Sequence, residues 1–395
     1  MIRKIMVPIF VLLSFLLSGC KSILPQGTEI EKFDAMQVVG FDVSEEDPSQ
    51  IEVTLITKVD KSSDGGSGVT IKTISESGLT VFEAQRKLRA KEEKITFMGY
   101  IDYVLIGEKA AREDFTKYFD YFVRDHETRL SPIVFIVKDG TAKDMITKTS
   151  STKLFITDRI SNILNGADLL GNTEKVKIID AMGMLDNKLA ATILPALKCE
   201  KPKNQKRTGE MAEKVITAAG FAIINDFKLA GYIDENSALG YSFITNKVSS
   251  CPISVKDNTG GYMGLELVSS KTNVEAKFNE DRLEEVTYKT SFTSAVPEQQ
   301  SRANIYTKDG IDDLCLKQSE YVKSLMEDAI SISKENKKDC LGLAGKIQMR
   351  YPYKWEKIKD QWNEIYPNLA IHVVVESNIA RTYDIVKPNG YWGEN

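Results

Sequence analysis

Histidine is scarce in this chain: only His126 and His372 occur among 395 residues, too few for a histidine-rich metal centre. His126-Glu127 opens like the zinc-protease pattern, but Leu130 stands where the second histidine of a shared helical face belongs. An acid–base pair would need one of these two histidines or a carboxylate, and spacing alone pairs no carboxylates here. Cysteine is sparse too. Beyond Cys20, the four at 199, 251, 315 and 340 are separated by 52, 64 and 25 residues, with no C-x-x-C unit. That excludes a zinc ribbon and a disulfide-dense scaffold. Four cysteines allow three pairings, but Cys315 falls on an apolar helical stripe, and unpaired thiols are the favoured reading of Cys199, Cys251, Cys315 and Cys340. Basic excess is missing as well. Lys and Arg total 52 against 56 Asp and Glu, a net charge of −4, so the field that attracts a phosphate backbone is absent and no nucleic-acid partner is expected.

Nucleotide and nucleophile motifs are equally wanting. The chain has no G-x-S-x-G, no Walker A sequence and no G-x-G-x-x-G that enters a helix. Gly260-Gly261-Tyr262-Met263-Gly264 leads into a strand and offers no helix amides to a pyrophosphate. The Gly-rich cluster at residues 64–68 reads as a hairpin tip. No cofactor, metal or catalytic residue is assigned, and no enzymatic activity is expected.

One long apolar run is present, at residues 5–18, behind Arg3 and Lys4. As a helix it would rise about 21 Å, short of a hydrocarbon core of about 30 Å, so it reads as a secretory signal and not a permanent span. It ends in Leu17-Ser18-Gly19-Cys20, which resembles the lipobox of bacterial lipoproteins. There a thiolate takes a diacylglyceryl group and the small residues before it let a peptidase cut. Cys20 is therefore the expected lipidation site and first residue of the mature chain. Two acyl chains hold a soluble body on a bilayer where one lets it escape. The expected organisation is a signal peptide at 1–19, an anchor and tether at 20–28, an N-terminal α/β region at 29–197, a linker at 198–210 and a C-terminal α+β domain at 211–388.

The body alternates strands and helices. Strands are expected at 35–41, 51–57, 101–106 and 133–137, with helices at 79–90, from 109 and from 141, an order that suggests an α/β layer with a crossover. Phe115, Tyr118, Phe119 and Phe122 share one helical face, which should be buried. Residues 198–207 are basic and nearly free of apolar side chains, an exposed connection more readily solvated than bound to anionic lipid. Beyond it come a hairpin about Asn225-Asp226, a meander of several short strands over 264–292, and a long amphipathic helix through Leu314, Val322 and Met326. Trp355 and Trp362 lie at helical spacing and read as core, not as a ligand-stacking platform. His372 sits in a closing strand as a structural residue. The fold class expected is multi-domain α+β or mixed α/β, with mixed sheets flanked by amphipathic helices and a largely antiparallel C-terminal sheet covered on one face.

Several segments in order resemble one family. Val38-Val39-Gly40-Phe41-Asp42, Phe82-Glu83-Ala84, Phe97-Met98-Gly99, Val104-Leu105-Ile106-Gly107-Glu108 and Lys138-Asp139-Gly140-Thr141-Ala142-Lys143-Asp144 are similar to the Ger(x)C (GerAC) family, the lipoprotein C subunits of spore germinant receptors. Ala219-Gly220-Phe221-Ala222, Leu229-Ala230-Gly231-Tyr232 and Tyr351-Pro352-Tyr353-Lys354-Trp355 extend the likeness into the second half. The resemblance implies a non-enzymatic subunit on the outer face of the spore inner membrane, partnered by membrane-embedded A and B subunits and not itself the binder of the germinant. Two readings stand beside it: a lipid-anchored solute-binding protein, and a tethered cell-wall hydrolase working through an Asp/Glu pair.

Overall fold

The computed structural model describes residues 32–61, 68–150, 155–201, 214–301, 304–305 and 307–381. Cys20, the signal segment, the tether, the tip of the glycine-rich hairpin and most of the basic connection lie outside the described residues. Fourteen strands are described: β1 Phe33–Ala35, β2 Val38–Val43, β3 Ile51–Lys61, β4 Gly68–Gly78, β5 Ile95–Phe97, β6 Tyr103–Gly107, β7 Ile133–Lys138, β8 Thr192–Glu200, β9 Val215–Asn225, β10 Lys228–Ile233, β11 Pro252–Lys256, β12 Tyr262–Asn279, β13 Arg282–Gln299 and β14 Ala370–Arg381. The α-helices among them are α1 Val81–Lys91, α2 Glu108–Ala111, α3 Thr116–Arg124, α4 Ala142–Thr149, α5 Ile156–Leu170, α6 Ile178–Leu185, α7 Glu235–Thr245, α8 Lys308–Glu335, α9 Leu343–Arg350, α10 Pro352–Ile358 and α11 Trp362–Asn368.

Eight strands form one sheet in the order β10-β9-β8-β7-β6-β2-β3-β4. Its centre is parallel, β2 to β6 to β7 to β8, and antiparallel strands complete both flanks. Alternation along the strands explains why both faces are covered. Val39, Phe41, Val104 and Ile106 meet α1, α2, α3 and α6 on one side, while Val38, Leu105, Phe135 and Val137 meet α4 and α5 on the other. The aromatic stripe of Phe115, Tyr118, Phe119 and Phe122 is buried on the first of these faces, at roughly 1.5–3 kcal/mol per side chain. Helix starts follow local chemistry. Thr80 caps α1 by accepting from the Glu83 amide at 3.1 Å, and Thr141 caps α4 by accepting from Asp144 at 3.0 Å.

The expected boundary at 198–210 falls inside this sheet. β8 and β9 flank the basic connection and pair antiparallel from Thr192↔Ile224 to Glu200↔Val215, so the polar segment separates two neighbouring strands. Lys198, at its edge, is tied to Glu200 at 2.6 Å and to Glu235. β9 then turns into β10 through Asp226 and Phe227, both at positive φ of 46° and 64°, the conformation a two-residue hairpin needs.

The second sheet, β11-β12-β13-β14, is antiparallel except for β14, which runs parallel to β13. The expected meander of short strands is instead one long hairpin, β12 and β13 of 18 residues each, joined at Glu280-Asp281. Its charged exposed positions, such as Lys271, Lys277 and Lys289, look like interruptions in sequence but are only the wet face of a continuous strand. Leu314, Val322 and Met326 of α8 pack with Trp355 and Trp362 in a core that also takes in Ile193, Phe221 and Ile223 of the first sheet. Apolar packing therefore joins the two sheets.

Candidate functional site

The carboxyl ends of β2 and β6 bring together three of the segments singled out in the sequence. Asp42 leaves the end of β2 buried, and its carboxylate accepts from the Ala142 amide at 2.9 Å and the Lys143 amide at 2.8 Å, the first turn of α4. Gly107 at the end of β6 makes room for it: a Cβ there would overlap Asp42 Oδ1. Glu108 reaches back to the Asp139 amide at 2.7 Å, and its own amide donates to Gly140 at 3.1 Å. Burial pushes the Asp42 carboxyl up to about 6, against the pull of the two amides. Outside the carboxyl ends of a parallel sheet, at a helix start, many folds hold an anion. Here the chain's own carboxylate takes both amides, and Lys143 pairs with Glu52 at 2.5 Å. The arrangement is an internal clasp between β2, β6 and α4.

A second buried carboxylate repeats the device in the C-terminal half. Asp339 accepts from the amides of Leu341 at 3.1 Å and Ala344 at 2.7 Å at the start of α9, and burial holds its carboxyl above the usual range. Around it, Cys340 donates its amide to Ser333 at 3.0 Å, Ser333 meets Tyr366 at 2.5 Å, and Lys346 donates to the Ile244 carbonyl at 2.6 Å. Burial pushes the Lys346 ammonium down to about 8. Each carboxylate fastens a helix start to a neighbouring segment, Asp42 from strand β2 and Asp339 from the turn before α9. Glu52 of β3 lies across from Asp42, but it is engaged by Lys143 in an ion pair.

A largely apolar groove of about 520 Å³ lies between the start of α1 and α3, lined by Ile51, Val81 and Tyr121 and by the exposed Leu79 and Phe82. Its charges are already engaged: Arg124 pairs with Asp120 at 2.8 Å and Lys117 with Glu113 at 2.5 Å. This surface offers contact area more than polar recognition.

The residues weighed from sequence disperse. His126 is exposed, and its neighbour Glu127 meets Arg89 at 3.5 Å. His372 lies exposed on β14 with Glu285 at 3.7 Å. Trp355 and Trp362 are buried, edge to face at 5.2 Å between centroids. Cys199, Cys251, Cys315 and Cys340 are free thiols, and burial pushes those of Cys251 and Cys340 up to about 12. Gly260 and Gly261 belong to a turn in which Asp257 accepts from the Gly261 amide at 3.0 Å. Among the described residues no three His, Cys, Asp or Glu side chains converge as metal ligands, and no helix is long and apolar enough to cross a membrane. Sequence reasoning gave no role to Asp42 or Asp339. The available signal for Asp42 was a lone acid closing an apolar strand, with a glycine closing the neighbouring one.

These features define a mixed α/β protein of two large sheets and a two-stranded ribbon, in which the buried Asp42 and Asp339 serve architecture. The sequence of the spore germination protein N-terminal domain matches residues 26–199, and that of the spore germination B3/GerAC-like C-terminal domain matches residues 219–383. The chain belongs to the GerAC family of spore germination proteins. Spore germination protein KC of Bacillus subtilis (strain 168) is 24% identical over 408 residues, covering 97% of each chain. Spore germination protein A3 of the same organism is 23% identical, covering 92% of this chain and 93% of that one. The crystal structure of the GerBC protein superposes with a TM-score of 0.54 at 18% identity, over 86% of this chain and 96% of that one, which makes the fold common to both.

Proposed function

We propose that this chain is the lipoprotein C subunit of a spore germinant receptor. It is non-enzymatic and acts by assembling with membrane-embedded A and B subunits so that a nutrient triggers germination. A diacylglyceryl group on Cys20 holds it to the outer face of the spore inner membrane. The observation that carries the reading is the end-to-end similarity to a spore germination protein, 97% of both chains, with the two domain matches in the same order. The internal satisfaction of Asp42 and Asp339 supports a role in contacts and not in catalysis. Deleting the gene and scoring germination over a panel of amino acids and sugars tests it. At least one nutrient response should be lost and return on complementation; a full response to every nutrient would contradict the proposal.

A further inference from the structure

The chain enters the described fold through an aromatic ladder. Phe33 of β1 stacks edge to face on Phe97 of β5 at 5.5 Å, Phe97 on Tyr100 at 5.6 Å, and the Arg129 guanidinium lies 5.8 Å from the Tyr100 ring. Phe33 and Phe97 are half-buried, whereas Tyr100 is 54% exposed and Arg129 is exposed. β1 and β5 form their own two-stranded ribbon, Phe33↔Ile95 to Ala35↔Phe97, apart from both large sheets. The ribbon sits where the parallel strands begin: Met36 donates to the Phe97 carbonyl at 3.0 Å and Asp102 to the Gln37 carbonyl at 2.8 Å, just before β2 and β6. The Asp42 clasp occupies the opposite end of those strands.

We propose that Phe33, Phe97, Tyr100 and Arg129 form a bilayer-contact surface that orients the first sheet on the membrane. The inference rests on the lipid-anchored reading of Cys20. Only a dozen residues link Cys20 to Lys32, so this end stays within about 40 Å of the acyl chains even with the tether fully extended. Aromatic rings with one polar edge collect at the headgroup boundary, and a guanidinium pairs with lipid phosphate. The exposed charges nearby are mixed, Lys94 and Arg129 against Glu93 and Asp102, so the contact works through rings and one guanidinium and depends little on salt. The two acyl chains supply affinity, and the ladder supplies direction. It turns the carboxyl ends of the parallel strands away from the lipid.

The test uses the lipidated mature protein on vesicles of phosphatidylethanolamine and phosphatidylglycerol, without other receptor subunits. Tyr100→Trp and, as control, Tyr353→Trp at the 89% exposed Tyr353 are compared for quenching by brominated lipid. The tryptophan added at 100 should be quenched at least about twofold more than the one at 353. Hydrogen exchange on the unaltered protein should show vesicle-dependent protection at 97–101 and 127–130, a readout that needs no variant. Equal quenching and no protection while the protein remains vesicle-bound would overturn the orienting contact and leave the anchor intact. Release of the protein from vesicles would overturn the anchored reading and the contact with it. Protection that appears only when membrane subunits are co-reconstituted would make the surface a protein interface and overturn the lipid contact.

Discussion

Asp42 shows how one residue of a recognisable motif does structural work. Its carboxyl, pushed up to about 6 in the fold from an ordinary 3.8, holds a proton in the folded state over a range where the unfolded chain has lost it. Its contribution to stability is thus largest at low pH, falls as pH rises from about 4 to about 6, and is level above that; a shift of this size corresponds to roughly 3 kcal/mol. Asp42→Asn removes this titration. Unfolding midpoints at pH 4, 5 and 6.5 should show the wild type losing ground relative to the variant as pH rises, and a difference that does not change with pH would refute the assignment. None of this was legible in Val38-Val39-Gly40-Phe41-Asp42 as a string. The strand was, because its apolar run is plain, but the partners of Asp42 lie 100 residues away on α4.

Elements were read well where periodicity is local and badly where it depends on a partner. The stripe of α8 and the aromatic face of α3 are written at i, i+3, i+4 and i+7, and both are buried as that spacing requires. The β12–β13 hairpin was broken into short strands because a one-sided sheet shows charges at every second position, and only its partner strand reveals continuity. Close helix contact is another partner-dependent feature. Gly240 of α7 lies against α8 so tightly that a Cβ would overlap the Leu325 carbonyl, whereas a Cβ at Gly166 of α5 meets nothing within 4 Å. Gly240→Ala should therefore destabilise by roughly 1–3 kcal/mol through overpacking. Gly166→Ala should stabilise by about 1 kcal/mol through helix propensity. Urea unfolding of both variants checks the contrast, and the same sign for both would contradict the packing of α7 on α8.

At the scale of the whole molecule, the sequence announced two halves and the structure ties them together. A basic, apolar-poor segment fits a connection between paired strands as well as one between domains, so the composition of 198–210 does not foretell that β8 and β9 pair with each other. β9 and β10 join the first sheet, and Ile193, Phe221 and Ile223 extend its packing into the second. Replacing Cys20 with Ala, and following both membrane fractionation and nutrient-triggered germination of spores carrying only that variant, tests the central claim most directly. The account predicts that the protein leaves the membrane fraction and that the nutrient response is lost; a full response from released, unlipidated protein would contradict it.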